Sequence, residues 1–144
     1  MVFALYVNIV LGYFMASIQS PDFSLSDYRW ENRIILLFHS NGNSQYKNQI
    51  DELLNDKPGL SDRNLLIFSI DQTSKITELT TSKKFESKPD LRSDFNIPEN
   101  EFYVILIGKD GSVKYRDNSP IERKKLYAII DAMPMRQAEM RRKN

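Results

Sequence analysis

Residues 34–70 read IILLFHSNGNSQYKNQIDELLNDKPGLSDRNLLIFSI, and the fold is decided within them. Ile34 to Phe38 is an unbroken apolar run bounded by Arg33 and Ser40, which suits a short strand buried on both faces. His39 to Ser44 supplies helix-start residues, after which Tyr46, Ile50, Leu53 and Leu54 fall on one helical face. Pro58-Gly59 lies beyond that face and is expected to mark the helix end. Leu65 to Ile70 is a second apolar run, closed by Asp71. Two buried strands joined by an amphipathic helix are parallel neighbours linked by a crossover. The stretch is β-α-β, and the fold class is α/β.

Downstream, Thr73 to Asn100 is polar and carries one local signal. Pro89 as a first helical residue, with Leu91 and Phe95 four apart, predicts a short helix before Ile97-Pro98. Phe102 to Ile107 is a third strand, Gly108 to Gly111 a hairpin turn, and Val113 to Arg116 the antiparallel return. Ser119-Pro120-Ile121-Glu122 has the form of a capping box with Pro at the first helical position, its Ser worth about 1 kcal/mol. Leu126, Ile129, Ile130 and Met133 then share a helical face, and Pro134 ends that helix. Beyond it, Asp131 to Met140 must either turn back onto the domain, with Met133 and Met135 filling gaps beside Leu126 and Ile130, or project as a contact surface.

This order is that of a thioredoxin-like single domain, a central mixed sheet flanked by helices. The stretches SLSDYRWENRIILLFHS (24–40), VILIGKDGSVKYR (104–116) and above all IDAMPMRQAEMRR (130–142) resemble an uncharacterised thioredoxin-like domain family, across residues 24–142. That family includes short exported bacterial proteins, with related domains in vertebrate extracellular proteins carrying sushi repeats or coiled coils. The resemblance implies the fold and an exported or extracellular setting. The family has no assigned reaction, so the resemblance implies no catalytic residue.

Val2 to Ala16 is apolar but for Asn8 and Gly12, and the chain turns polar from Ser17. This suits the apolar region of an export signal, shorter than the roughly 20 residues of a membrane span, and residues 1–20 read as a signal peptide released between Ser17 and Pro21. A retained N-terminal anchor is the alternative, because no Lys or Arg precedes the apolar run. The expected location is periplasmic or secreted. Setting the leader aside leaves about 124 of the 144 residues, the size of one domain. A formal net charge of +1 gives no global attraction to nucleic acid, which is not an expected partner. After cleavage no membrane span is expected either.

The chain has no cysteine. Thiol oxidoreductase and peroxiredoxin chemistry both require a thiolate, so both are excluded. The position between the first strand and its helix, where thiol-redox thioredoxins carry CxxC, reads HSNGNS here. His39 is the sole histidine, and one His without Cys makes a poor zinc site. Its ordinary reading is a strand-end residue hydrogen-bonded to a carbonyl. Asn41, Gly42 and Asn43 could offer backbone N–H groups to a ligand at a helix N-terminus, though helix capping is their usual role. Lys83, Lys84, Lys88 and Arg92, interleaved with acids, read as a solvated face. Met133, Met135 and Arg136 are candidates for a contact surface. No metal or cofactor is implied. The function expected is a non-redox module that binds an unidentified protein or an extracellular or envelope component. The alternative is a cysteine-independent enzyme with its site at the strand ends near His39 and Asp71.

Overall fold

The computed structural model describes residues 20–85 and 90–144, so the leader and Pro89 lie outside the described residues. Strand β1 (Arg33–Phe38) is buried at all six positions and occupies the middle of a six-stranded sheet. It runs parallel to β2 (Leu65–Ile70), with Ile35 opposite Ile67, and antiparallel to β5 (Tyr103–Ile107), with Leu36 opposite Ile105. The hairpin partner β6 (Val113–Asp117) closes one edge, and β3 (Ile76–Glu78) and β4 (Lys83–Phe85) close the other, giving the order β4-β3-β2-β1-β5-β6. The sheet is mixed and central, as the expected thioredoxin-like arrangement requires.

Side chains alternate across a strand, so the uninterrupted apolar runs feed two cores. Ile34, Leu36 and Phe38 point to one face, where they meet Phe68, Ile105, Ile107, Leu91 of the short helix α3 (Leu91–Asp94) and Phe23 of the N-terminal segment. Ile35 and Leu37 point to the other, against Leu53 of α1 (Ser44–Leu54), Leu60 of α2 (Lys57–Asp62) and Leu126 and Ile130 of α4 (Arg123–Asp131). A last helix, α5 (Pro134–Lys143), follows α4.

Four expectations are corrected. Pro58-Gly59 opens the second helix α2 instead of lying beyond the first; Pro at an N-terminal helical position lacks only a hydrogen bond it would not make there, and Asp56 accepts from the Gly59 N–H at 3.1 Å. The capping box does not form, and α4 begins at Arg123 with no cap from Ser119. Gln49 competes for this stretch: its buried amide donates to the Ile121 carbonyl at 2.9 Å and accepts from the Ile121 N–H at 2.6 Å, holding that residue outside the helix, and Glu122 after it is extended. The Arg123 N–H is instead accepted by Glu52 from α1 at 3.1 Å. Within the polar stretch, two three-residue strands are present where none is expected. The buried Glu78 closes the turn between them, accepting from the N–H groups of Thr80 and Thr81 at 2.9 Å and from both their hydroxyls. Finally, Pro134 starts α5 as well as ending α4. The segment folds back, but Arg136 and Glu139 hold it: Met133 packs partly against the core while Met135 stays 40% exposed.

Candidate functional site

β1 and β2 end side by side, and His39 continues the ladder by one bond, its N–H donating to the Ile70 carbonyl at 3.1 Å. The imidazole is buried and stacks on Tyr46 of α1, ring centroids 3.5 Å apart and planes 5° from parallel. Its Nδ1 lies 3.2 Å from the Ser40 carbonyl and its Nε2 2.9 Å from Ser69 Oγ. A carbonyl only accepts, so Nδ1 carries the proton and Nε2 is the acceptor. Ser69 then donates to Nε2 and accepts from the Tyr46 hydroxyl at 2.7 Å. Burial holds the His39 pKa below its ordinary 6.5, outweighing the Ser40 carbonyl and the Asp71 charge, so the ring is neutral. A neutral Tyr-Ser-His chain ending on main chain is complete in itself.

This set does not make a nucleophile. Ser69 is buried, and the His39 Nδ1 hydrogen goes to a carbonyl where a catalytic triad has a carboxylate. Asp71 is occupied with its own turn, its Oδ1 accepting from Thr73 N–H at 2.8 Å, Thr73 Oγ1 at 2.7 Å and Lys75 N–H at 3.0 Å. Burial would raise its pKa, but these donors prevail and hold it below the usual carboxylate range. The structure therefore brings His39 and Asp71 to one end of the sheet without making them partners. Among the described residues no group of three or more potential metal ligands stands together.

Asn43 is the N-cap of α1, its side chain accepting from the Tyr46 N–H at 3.0 Å. Gly42 sits at φ +72°, a left-handed position that a Cβ would strain, and the Asn41 N–H donates to Gln72 Oε1 at 3.4 Å. Two of the three candidate loop residues are thus committed to local structure. Met133, Met135 and Arg136 lie at the opposite end of the sheet. Arg136 is turned inward, donating to Asp131 Oδ1 at 3.0 Å, to the Asp62 carbonyl at 2.8 Å and to Asp62 Oδ2 at 2.5 Å.

The residue that sequence reasoning placed on a solvated face is Arg92, and it is 92% buried. Its Nη2 donates to the His39 carbonyl at 2.7 Å and its Nε to the Asp71 carbonyl at 3.3 Å, tying α3 to the ends of both central strands. Among the described residues Nη1 has no hydrogen-bond partner and no carboxylate forms a salt bridge with the guanidinium. Arg92 borders a groove of about 620 Å³ at the C-terminal ends of β1 and β2, walled by Gln72, Ser74, Asp90, Asn96 and Asn100. Ser74, Asn96 and Asn100 all have positive φ, at 62°, 51° and 62°. Arg116 of β6 braces the wall through the Phe95 and Asn96 carbonyls. A groove outside the carboxyl ends of strands is where open α/β sheets commonly bind ligands.

The family model described as Domain of unknown function (DUF4174) matches residues 24–139. The fold resembles the reduced 2-Cys peroxiredoxin of Plasmodium vivax, with a TM-score of 0.57 and 16% identity over 79% of this chain and 84% of that one. It also resembles the thioredoxin domain of a thiol-disulfide oxidoreductase from Bacteroides vulgatus, with a TM-score of 0.53 and 15% identity over 76% of this chain and 83% of that one. A thiol:disulfide interchange protein from Bacteroides sp. is similar to the same degree, at 0.53 and 15% over 78% and 82%. At such identities the likeness establishes the thioredoxin fold and nothing of its chemistry.

Proposed function

The chain belongs to the DUF4174 family, and on that premise we propose that it is an exported, non-redox thioredoxin-like module that acts by binding. The observation carrying this reading is the contrast at the strand ends. Where thiol-redox relatives need a reactive sulfur, this chain has a closed Tyr46-Ser69-His39 chain with no group free to attack. Beside it lies an open polar groove over the buried Arg92 guanidinium, which forms no salt bridge with a carboxylate among the described residues. Export is supported by the apolar run from Val2 to Ala16 and its polar exit. An extracellular or envelope partner is proposed from that address and from the resemblance of residues 24–142 to domains of sushi-repeat proteins.

Capture from the exported fraction tests the binding reading, using the wild-type chain beside Asn96→Gly/Asn100→Gly. Glycine adopts positive φ without strain, so this pair removes two groove amides while suiting the backbone. A partner retained by the wild type and lost by the variant is the expected result. Equal retention by both would overturn the assignment of binding to the groove. Intact mass of the exported protein tests the leader: a start between Ser17 and Pro21 is expected, and a mass that still includes residues 1–16 would replace cleavage with an anchor.

A further inference from the structure

We infer that the groove at the strand ends is a site for a neutral sugar chain, an inference that rests on the binding-module reading and gives it a ligand class. The lining is the first ground. Gln72, Asn96 and Asn100 present carboxamides, and Thr73, Ser74 and Ser93 present hydroxyls. Carboxamides and hydroxyls both donate and accept, as do the hydroxyls of a sugar ring. Two carboxylates, Asp90 and Glu99, and the Arg92 guanidinium complete the wall. The planar head of Glu99 can meet two neighbouring hydroxyls at once, whereas Arg92 is buried and spends Nε and Nη2 on main-chain carbonyls.

Charge and shape argue against anionic ligands, apolar side chains and an added strand. One cation against two carboxylates leaves the lining at a formal charge of −1, so a phosphate or carboxylate ligand gains no net attraction. Ile97 is the single apolar residue among those lining the groove, so a hydrophobic side chain has no seat. A peptide added as an extra strand needs an open sheet edge. Here β1 and β2 are paired on both sides, and the groove is walled by turns and α3. A polyhydroxyl ligand is the class that these donors and acceptors match without an apolar subsite or a strand edge.

The second ground is continuity. Asn100 also lines an adjoining groove of about 390 Å³, where Asn43, Gln45, Asn118 and Ser119 again offer amides and a hydroxyl. Asn100 is common to the two linings, and two neighbouring polar grooves suit a chain of units more than one small molecule.

Calorimetric titration of the full chain with three neutral tetrasaccharides, β-1,4-linked glucose, β-1,4-linked N-acetylglucosamine and α-1,4-linked glucose, tests the inference, with a capped tetraserine peptide as control. Binding of at least one tetrasaccharide is expected, weakened tenfold or more in Asn96→Gly/Asn100→Gly while the melting curve of that variant is unchanged. Failure of all three at millimolar concentration would overturn it. So would saccharide binding that the variant leaves intact, or binding of the peptide alone. If the saccharides fail but the variant still loses its captured partner, only the ligand class falls. If both readouts are flat, the binding-module reading falls with it.

Discussion

At the end of the sheet where β1 begins, Arg33 and Arg136 are sunk among Glu139, Asp131 and Asp62; at the end where β1 finishes, Arg92 is sunk beneath a groove and, among the described residues, has only main-chain carbonyls as partners. Glu139 receives both Arg33 Nη atoms, at 3.2 and 3.3 Å, and Lys109 at 2.7 Å, so α5 is locked to β1 and to the hairpin turn. Asp131 takes Arg63 at 2.7 and 3.1 Å as well as Arg136, which locks α5 to α2. Arg33 Nε also lacks a partner among the described residues, yet both of its terminal nitrogens sit on a carboxylate. Ionic complementarity at one end and its absence at the other show that burial alone does not tell what an arginine is for. The first end spends its charge on the fold, and the second leaves donors and acceptors unspent beside open space.

Deleting residues 134–144 should have the largest effect. It strips Arg33 of Glu139 and leaves a buried cation alone, at a cost of roughly 3 to 5 kcal/mol. For a domain of this size the melting temperature should fall by about 10 °C or more. A shift under about 2 °C would show that α5 is an appendage and erase the contrast between the ends.

Acid titration separates the two ends by window. At the strand-end side His39 is held below the unfolded value of 6.5, so folding favours its neutral form. That contribution is present above pH 6.5 and is lost as pH falls through the folded pKa. At the opposite end Asp62 is held at about 2 by Lys143 and Arg136, and Asp131 and Glu139 are also lowered, the ion pairs overcoming their burial. Those contributions persist until pH drops below about 4, the unfolded carboxylate range. Thermal melts from pH 8 to 3 should show an early decline that His39→Gln removes and a later one that it leaves. A single decline below pH 4, identical in both proteins, would remove His39 from the account.

Asn96→Gly/Asn100→Gly should have the smallest effect on stability, within about 0.5 kcal/mol, because glycine suits both backbones and these side chains make no hydrogen bonds within the described residues. A larger loss in urea unfolding would mean that the groove wall carries the fold.

The architecture was legible because its main signals are local. Apolar runs at 34–38, 65–70 and 102–107 and the turn at Gly108 to Gly111 declare themselves within a few residues. The site was not, since every contact that makes it joins residues far apart in sequence. Arg92 sits among Lys83, Lys84, Asp90 and Asp94 like a surface charge, and nothing nearby in sequence indicates that its guanidinium reaches His39. Glu78 likewise looks solvated until its carboxylate is seen gathering Thr80 and Thr81. The failed capping box makes the same point: Ser119 and Glu122 have the right spacing, but Gln49, distant in sequence, fixes Ile121 first. The polar character of the loop at Asn41 and Asn43 was legible; its role as a helix cap and a turn partner needed Tyr46 and Gln72 in place.

The contrast between the ends is tested most directly by equilibrium urea unfolding of Arg136→Met and Arg92→Met side by side. Arg136→Met should cost about 2 to 4 kcal/mol, somewhat less than a fully buried pair because Asp62 and Asp131 are part-exposed. Arg92→Met should cost about 1 kcal/mol, since it removes two hydrogen bonds together with a buried charge that forms no salt bridge among the described residues. An Arg92→Met loss equal to or larger than that of Arg136→Met would contradict the account and make Arg92 a structural residue like the others.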